Sequence, residues 1–279
     1  MVFIVSNFLF AACFTFLASY FGNLIHGWAD IWIIPLLYIA FLLACIAFTF
    51  VIVFASAIPL KPKGDRRDKP SEYSWFFMDN TLKFLSFWSW AIVKTEGFEK
   101  IPKDGKYVIY SNHKSNFDAI CLYAKLRNQR IAFIAKRSLF KMPLIGKHLY
   151  GCGFIPIDRD NLRQAVEVIR NGEYYLTNDL MNVGVYPEGT RNKTDEPLLE
   201  IKSGSFKIPM RAKCPIVIII TKNCEYIAKR FPFRPTHVYI KVAEVLTYED
   251  YKDMTTNELQ EHVTKKMLES IEELKNYKA

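Results

Sequence analysis

Hydrophobic positions along this chain follow two regimes. From Val2 to Leu60 they are almost unbroken, and from about Ile101 onward they come in short bursts between polar and amphipathic stretches. In the first regime Val2–Ile25 is one apolar run. As a helix rising about 1.5 Å per residue it reaches roughly 36 Å, against a hydrocarbon core of about 30 Å. Ile31–Leu60 is longer than one crossing needs and must tilt or leave its ends at the interface. Only His26–Asp30 separates them, which predicts a helical hairpin with Trp28 and Trp32 at the turn, where interfacial aromatics belong. Two full crossings and a hairpin seated in one leaflet both fit. A cleaved signal peptide does not, because no basic segment precedes the apolar run and the run is long and double.

Ser71–Val93 is aromatic and nearly uncharged, and predicts a helix with a wide apolar face. That face suits a core helix or one lying at a bilayer surface. Short apolar runs rich in Val, Ile and Tyr then predict buried strands at Lys106–Ser111, Arg130–Ala135, Gly153–Asp158, Val183–Tyr186, Pro215–Thr221 and Val238–Val245. Helical stretches alternate with them at Asp118–Asn128, Asn161–Thr177, Ser203–Ala212 and Asn257–Asn276. The pattern predicts an α/β fold with a mixed, largely parallel central sheet flanked by helices, preceded by an N-terminal transmembrane helical hairpin. Residues 1–60 form the hairpin, 61–70 a basic linker marked by Pro62, Gly64 and Pro70, and 71–279 the α/β domain.

Charge sharpens the division. Residues 1–60 hold no Lys or Arg and one acid, Asp30, so all 37 basic residues fall in 61–279 beside 27 acids. A basic body behind an uncharged apolar leader fits an anionic membrane surface as partner better than nucleic acid. Five cations in Lys61–Lys69, directly after the second apolar run, hold that end and the body on the cytoplasmic side. The six cysteines are scattered, with no CxxC and no zinc spacing, and read as reduced small apolar residues.

Two polar clusters carry candidate chemistry, each at the end of a predicted strand. In Asn112–Asp118, His113 and Asp118 stand as an imidazole and a carboxylate that can fix its tautomer and balance its charge. Taken alone, such a pair is more often a satisfied histidine in a polar turn. No Gly-x-Ser-x-Gly elbow supplies a nucleophile, so the economical use of His113 is to deprotonate a hydroxyl of the substrate. The second cluster is Glu188, Gly189, Thr190 and Arg191, where Gly permits a tight turn and Arg offers a planar fork suited to phosphate. Arg159 ends a further strand. Clusters at neighbouring strand ends should meet on one edge of the sheet, where α/β enzymes hold ligands.

Taken in order, Asn112–Asp118, Gly153–Arg159, Glu188–Arg191 and Cys214–Ile218 resemble the four sequence blocks of the glycerolipid acyltransferases, the 1-acyl-sn-glycerol-3-phosphate acyltransferases above all. Ala135–Phe140 and Lys202–Gly204 agree with that resemblance, which spans roughly 95–225. It implies acyl transfer from a thioester, on coenzyme A or acyl carrier protein, to the sn-2 hydroxyl of lysophosphatidate, with no other cofactor and no metal. It further implies His113 as base, Asp118 as its partner, Arg159 and Arg191 on the acceptor phosphate, Glu188, Gly189 and Thr190 shaping that pocket, and Lys136 as a further phosphate or oxyanion contact. Pro156-Ile157 before Asp158 departs from the shorter family form. Glycerol 3-phosphate, another lysophospholipid, or a non-catalytic lipid-binding role are the competing readings.

Overall fold

The computed structural model describes the chain except residues 23, 25–26, 28–29, 62–68, 127–128, 144, 159–161 and 278–279. Trp28, most of the basic linker and Arg159 therefore lie outside the described residues.

The two leading helices are α1, Val2–Phe21, and α2, Ile33–Ser56, both long and apolar enough to cross a membrane. Most of their side chains face outward. Those that are buried include polar ones, because Asn7 of α1 accepts from the Thr49 hydroxyl of α2 at 3.0 Å. A polar pair between two apolar helices is a directional contact that lipid cannot replace. The third helix, α3, Glu72–Trp88, begins at Ser71, whose hydroxyl accepts from the Ser74 N–H. It lies along the hairpin: Phe3 meets Phe77, Phe8 meets Phe87 and Trp88, and Phe50 meets Phe84.

Here one expectation needs correcting. The helix read as Ser71–Val93 ends at Trp88, and Ala91–Glu96 is a strand, β1. Between them Trp90 takes φ 55°, a left-handed conformation that reverses the chain. Continuous aromatic and aliphatic character hides this break, since neither Gly nor Pro marks it.

The remaining strands are β2, Val108–Ser111; β3, Ile131–Lys136; β4, Ile155–Ile157; β5, Asn182–Val185; β6, Ile216–Lys222; and β7, Thr236–Leu246. They overlap the expected runs. The intervening helices are α4, Phe117–Lys125; α5, Gly146–Gly151; α6, Leu162–Thr177; α7, Lys207–Ala212; and α8, Ile227–Arg230. Two helices close the chain, α9 at Tyr248–Tyr251 and α10 at Thr256–Glu273. The last starts on a capping box in which Thr255 and Glu258 accept each other's backbone N–H. Sheet order is β1-β7-β6-β2-β5-β3-β4, with every neighbour parallel except β6–β7. The sheet is thus mixed and mostly parallel, as expected. Central strands β2 and β6 are buried throughout their apolar length, consistent with helices covering both faces.

One consequence positions the site. Since β7 runs antiparallel to β6, and β1 runs with β7, the start of β1 lies at the same edge as the carboxyl ends of β2, β3, β5 and β6.

Candidate active site

The chain leaves β2 at Ser111 and turns sharply, and the side chain of Asn112 continues the ladder where the backbone departs. Its Oδ1 accepts the Thr221 N–H at 2.8 Å and its Nδ2 donates to the Thr221 carbonyl at 2.9 Å. The turn is thereby pinned to the end of β6. Asp118, in the first turn of α4 and fully buried, gathers the next residues. Its Oδ2 accepts from the backbone N–H groups of Lys114 and Ser115 at 2.8 and 2.7 Å and lies 3.0 Å from His113 Nδ1, while Oδ1 accepts from the Thr221 hydroxyl at 3.2 Å. An oxygen already taking two N–H donors acts as an acceptor, so Nδ1 carries the proton and Nε2 is the basic nitrogen.

From behind, the imidazole is held by a stack of rings. Tyr186 lies 4.1 Å away, centroid to centroid, at 19°, and Phe133 of β3 lies 5.8 Å beyond Tyr186 at 13°. Gly184 makes room for that stack, since a Cβ there would strike the Phe133 ring. Burial holds the Tyr186 phenol well above the ordinary tyrosine range, and the Asp118 carboxylate adds to it, so this ring is a neutral wall.

The second cluster sits beside the first because β5 pairs with β2. Glu188 is buried, and both its oxygens are engaged by backbone: Oε1 accepts from the His113 N–H at 2.6 Å and Oε2 from the Leu199 N–H at 2.9 Å. Asn192 N–H donates to the His113 carbonyl at 2.6 Å. Glu188 is therefore a staple between the two turns. Each of its oxygens is thus taken by a backbone N–H. Burial raises its carboxyl above the usual range, and the two N–H bonds oppose that. Gly189 follows with φ 68°, and its N–H closes a turn on the Tyr186 carbonyl at 3.0 Å. Thr190 and Arg191 are then exposed, and Arg191 has no ion pair among the described residues.

Two further cations stand nearby. Lys136 is exposed at the carboxyl end of β3, next to β5. Lys202, named in sequence only as a connecting piece, donates its N–H to the Pro187 carbonyl at 3.0 Å, and its stem lies at van der Waals distance from where a Gly189 Cβ would be. By contrast Lys114 is engaged, donating to the carbonyls of Thr194 and Glu196 at 3.4 and 2.9 Å.

No hydroxyl or thiol among the described residues bonds His113 Nε2. Ser115 Oγ accepts from the Phe117 N–H at 3.2 Å, and Ser111 Oγ donates to the Asn112 carbonyl at 3.3 Å. Cys224 beside Asp118 is kept protonated by the Cys121 thiol, burial and the carboxylate, so it is no thiolate nucleophile. Sequence reading missed Thr221, Tyr186 and Phe133 as parts of the site. The only signals were a Thr closing the apolar run of β6 and a Tyr ending that of β5, neither unusual.

Known proteins share features of this chain. The family described as Acyltransferase matches residues 92–222, which contain both turns. A 1-acyl-sn-glycerol-3-phosphate acyltransferase of Bacillus subtilis is 26% identical over 189 residues, covering 66% of this chain and 88% of the relative. The one from Saccharomyces cerevisiae is 25% identical over 65% of this chain and 60% of its own length, and the alpha form from Bos taurus 29% over 65% and 63%. The chain thus spans less than two thirds of the yeast and bovine relatives. The crystal structure of a 1-acyl-sn-glycerophosphate acyltransferase, PlsC, from Thermotoga maritima shares the fold, with a TM-score of 0.60 at 21% identity over 99% of both chains. The matched stretch, running from β1 to the end of β6, is thus similar to the Acyltransferase family, with relatives of that kind in bacteria, yeast and mammals.

Proposed function

We propose that this protein transfers an acyl chain from an acyl thioester to the sn-2 hydroxyl of lysophosphatidate, giving phosphatidate. The observation that carries the reading is the orientation of His113: Nδ1 is fixed on Asp118 and, among the described residues, no hydroxyl or thiol engages Nε2. Nε2 takes the proton of the acceptor hydroxyl as its oxygen attacks the thioester carbonyl. A C–O bond forms, the C–S bond breaks, and the thiolate leaves with the proton from the imidazolium. Asp118 steadies that imidazolium. The donor's carbonyl is already activated, so no covalent acyl-enzyme is required.

Arg191, Lys136 and Lys202 form the cationic side of the site and receive the acceptor phosphate. Arg159, expected to share that role, lies outside the described residues. Residues 1–60 hold the enzyme in the bilayer as a hairpin, 61–70 link it, and 71–279 form the catalytic domain on the cytoplasmic side. The test is acyl transfer by the purified full chain from acyl-coenzyme A or an acylated carrier protein, read as phosphatidate when lysophosphatidate is offered and as lysophosphatidate when glycerol 3-phosphate is. Lysophosphatidate is expected to be the better acceptor with at least one donor. Transfer to glycerol 3-phosphate alone would overturn the acceptor, and transfer to neither would overturn the activity.

A further inference from the structure

Pairings along the hairpin show where it leaves the body. Helix α1 runs parallel to α3, Phe3 opposite Phe77 and Phe8 opposite Phe87 and Trp88, so Leu9–Phe21 extend past the end of α3. That projecting length is about 20 Å at 1.5 Å per residue. Helix α2 runs antiparallel, with Phe50 opposite Phe84 and Ser56 beside the start of α3, so its first half projects likewise. The point of exit is Trp90, whose carbonyl accepts the N–H of Thr236 at 3.1 Å, at the start of β7 where the loop from β6 arrives. This loop stands at the edge that carries His113. Thr221 faces Ile240, four rungs from Thr236, so the loop rises about 13 Å beyond Thr221.

What the loop exposes is unlike an ordinary surface turn. Phe233 is 85% exposed, Phe231 48% and Trp90 51%. Lys229, Arg230 and Arg234 stand among them, the stretch 227–235 contains no acid, and none of the three forms an ion pair among the described residues. Trp90 holds its exposed indole there from a left-handed backbone that Gly would adopt freely and a bulky residue rarely does. Exposed aromatics interleaved with cations match the headgroup layer of an anionic bilayer, where rings sit at the interface and basic residues meet phosphate.

We propose that this loop, with Trp90, is a second membrane contact that seats the edge bearing His113 against an anionic lipid surface. It rests on the reading of α1 and α2 as membrane-embedded. Its occupant is lipid, because the exposed aromatics stand where the apolar hairpin emerges, which leaves them level with the bilayer surface.

The test uses the full chain with Cys13→Ala and Cys45→Ala, the other four cysteines being buried. A nitroxide is placed singly on Phe233→Cys, on Leu43→Cys in the hairpin, and on Glu99→Cys at the opposite end of β1. In nanodiscs of phosphatidylcholine mixed equally with phosphatidylglycerol, collisions with oxygen and with an aqueous nickel chelate are compared. Position 233 is expected to be shielded from the chelate several-fold more than position 99, and more so than in phosphatidylcholine alone. Lys229→Gln/Arg230→Gln/Arg234→Gln is expected to erase that difference between lipids. A label at 233 as open to the chelate as at 99, with 43 in lipid, overturns the loop contact alone. Water access at 43 overturns the membrane reading beneath it.

Discussion

Asp118 shows how much one buried carboxylate organises. His113 is only one of the groups that converge on its two oxygens; two others are backbone N–H groups that fix the turn, the Thr221 hydroxyl is another, and the Cys224 thiol lies beside them. Hydrogen bonds to charged groups contribute about 1.5–3 kcal/mol each. Thr221→Val keeps the shape and deletes a hydroxyl that stands 3.2 Å from Asp118 Oδ1 and 3.3 Å from Asn112 Oδ1, so we expect kcat to fall about tenfold at little change in KM, and Thr221→Ser to restore it. Equal loss in Val and Ser would assign Thr221 to packing instead. Arg191→Lys tests the phosphate side. A point ammonium cannot fork onto two oxygens, so the KM for lysophosphatidate should rise about tenfold or more while kcat holds. An unchanged KM would remove Arg191 from the acceptor site. At this scale the sequence made the pairing of His113 with Asp118 legible. It was silent on Thr221, Tyr186 and Phe133, whose contributions come from strand pairing and ring stacking across 53 to 103 positions of chain, beyond the reach of any local pattern.

Elements repeat the lesson. Buried strands and the amphipathic α10 announced themselves by periodicity, whereas the α3–β1 break did not, because Trp90 makes the reversal without a Gly or Pro. Short α5 was missed too, and it anchors the hairpin. His148, on α5, lies 2.9 Å by Nε2 from Ser56 Oγ at the end of α2 and stacks between Tyr73 and Phe77. Ser56 donates its own proton to the Val53 carbonyl at 2.7 Å, so Nε2 carries the proton of a neutral ring. Burial depresses the pKa of His148 below its ordinary 6.5, more than the Val53 carbonyl restores. A depressed folded-state value means the unfolded chain binds the proton more readily, so stability is full above 6.5 and declines as pH falls below it. We expect the melting temperature of the full chain in detergent to drop between neutral and mildly acid pH, and the drop to shrink in His148→Gln. An equal drop in both proteins would place the acid sensitivity elsewhere.

On the scale of the whole molecule, two features converge. All the basic residues lie outside the apolar hairpin, and the hairpin emerges at the sheet edge that holds His113. The first was visible in the sequence as a charge partition. The second was not, because it depends on β7 running antiparallel to β6 and so turning β1 around, and no sequence pattern sets the direction of a strand in its sheet. On the proposed function, the two give an amphiphilic acceptor a short route from bilayer to base. The most direct test of the central claim is phosphatidate formation from lysophosphatidate and acyl-coenzyme A or acyl carrier protein by the purified full chain, beside His113→Ala. Loss of a general base is expected to lower the rate by at least about 10²-fold, with the fold retained. A mutant that matches wild type would contradict it.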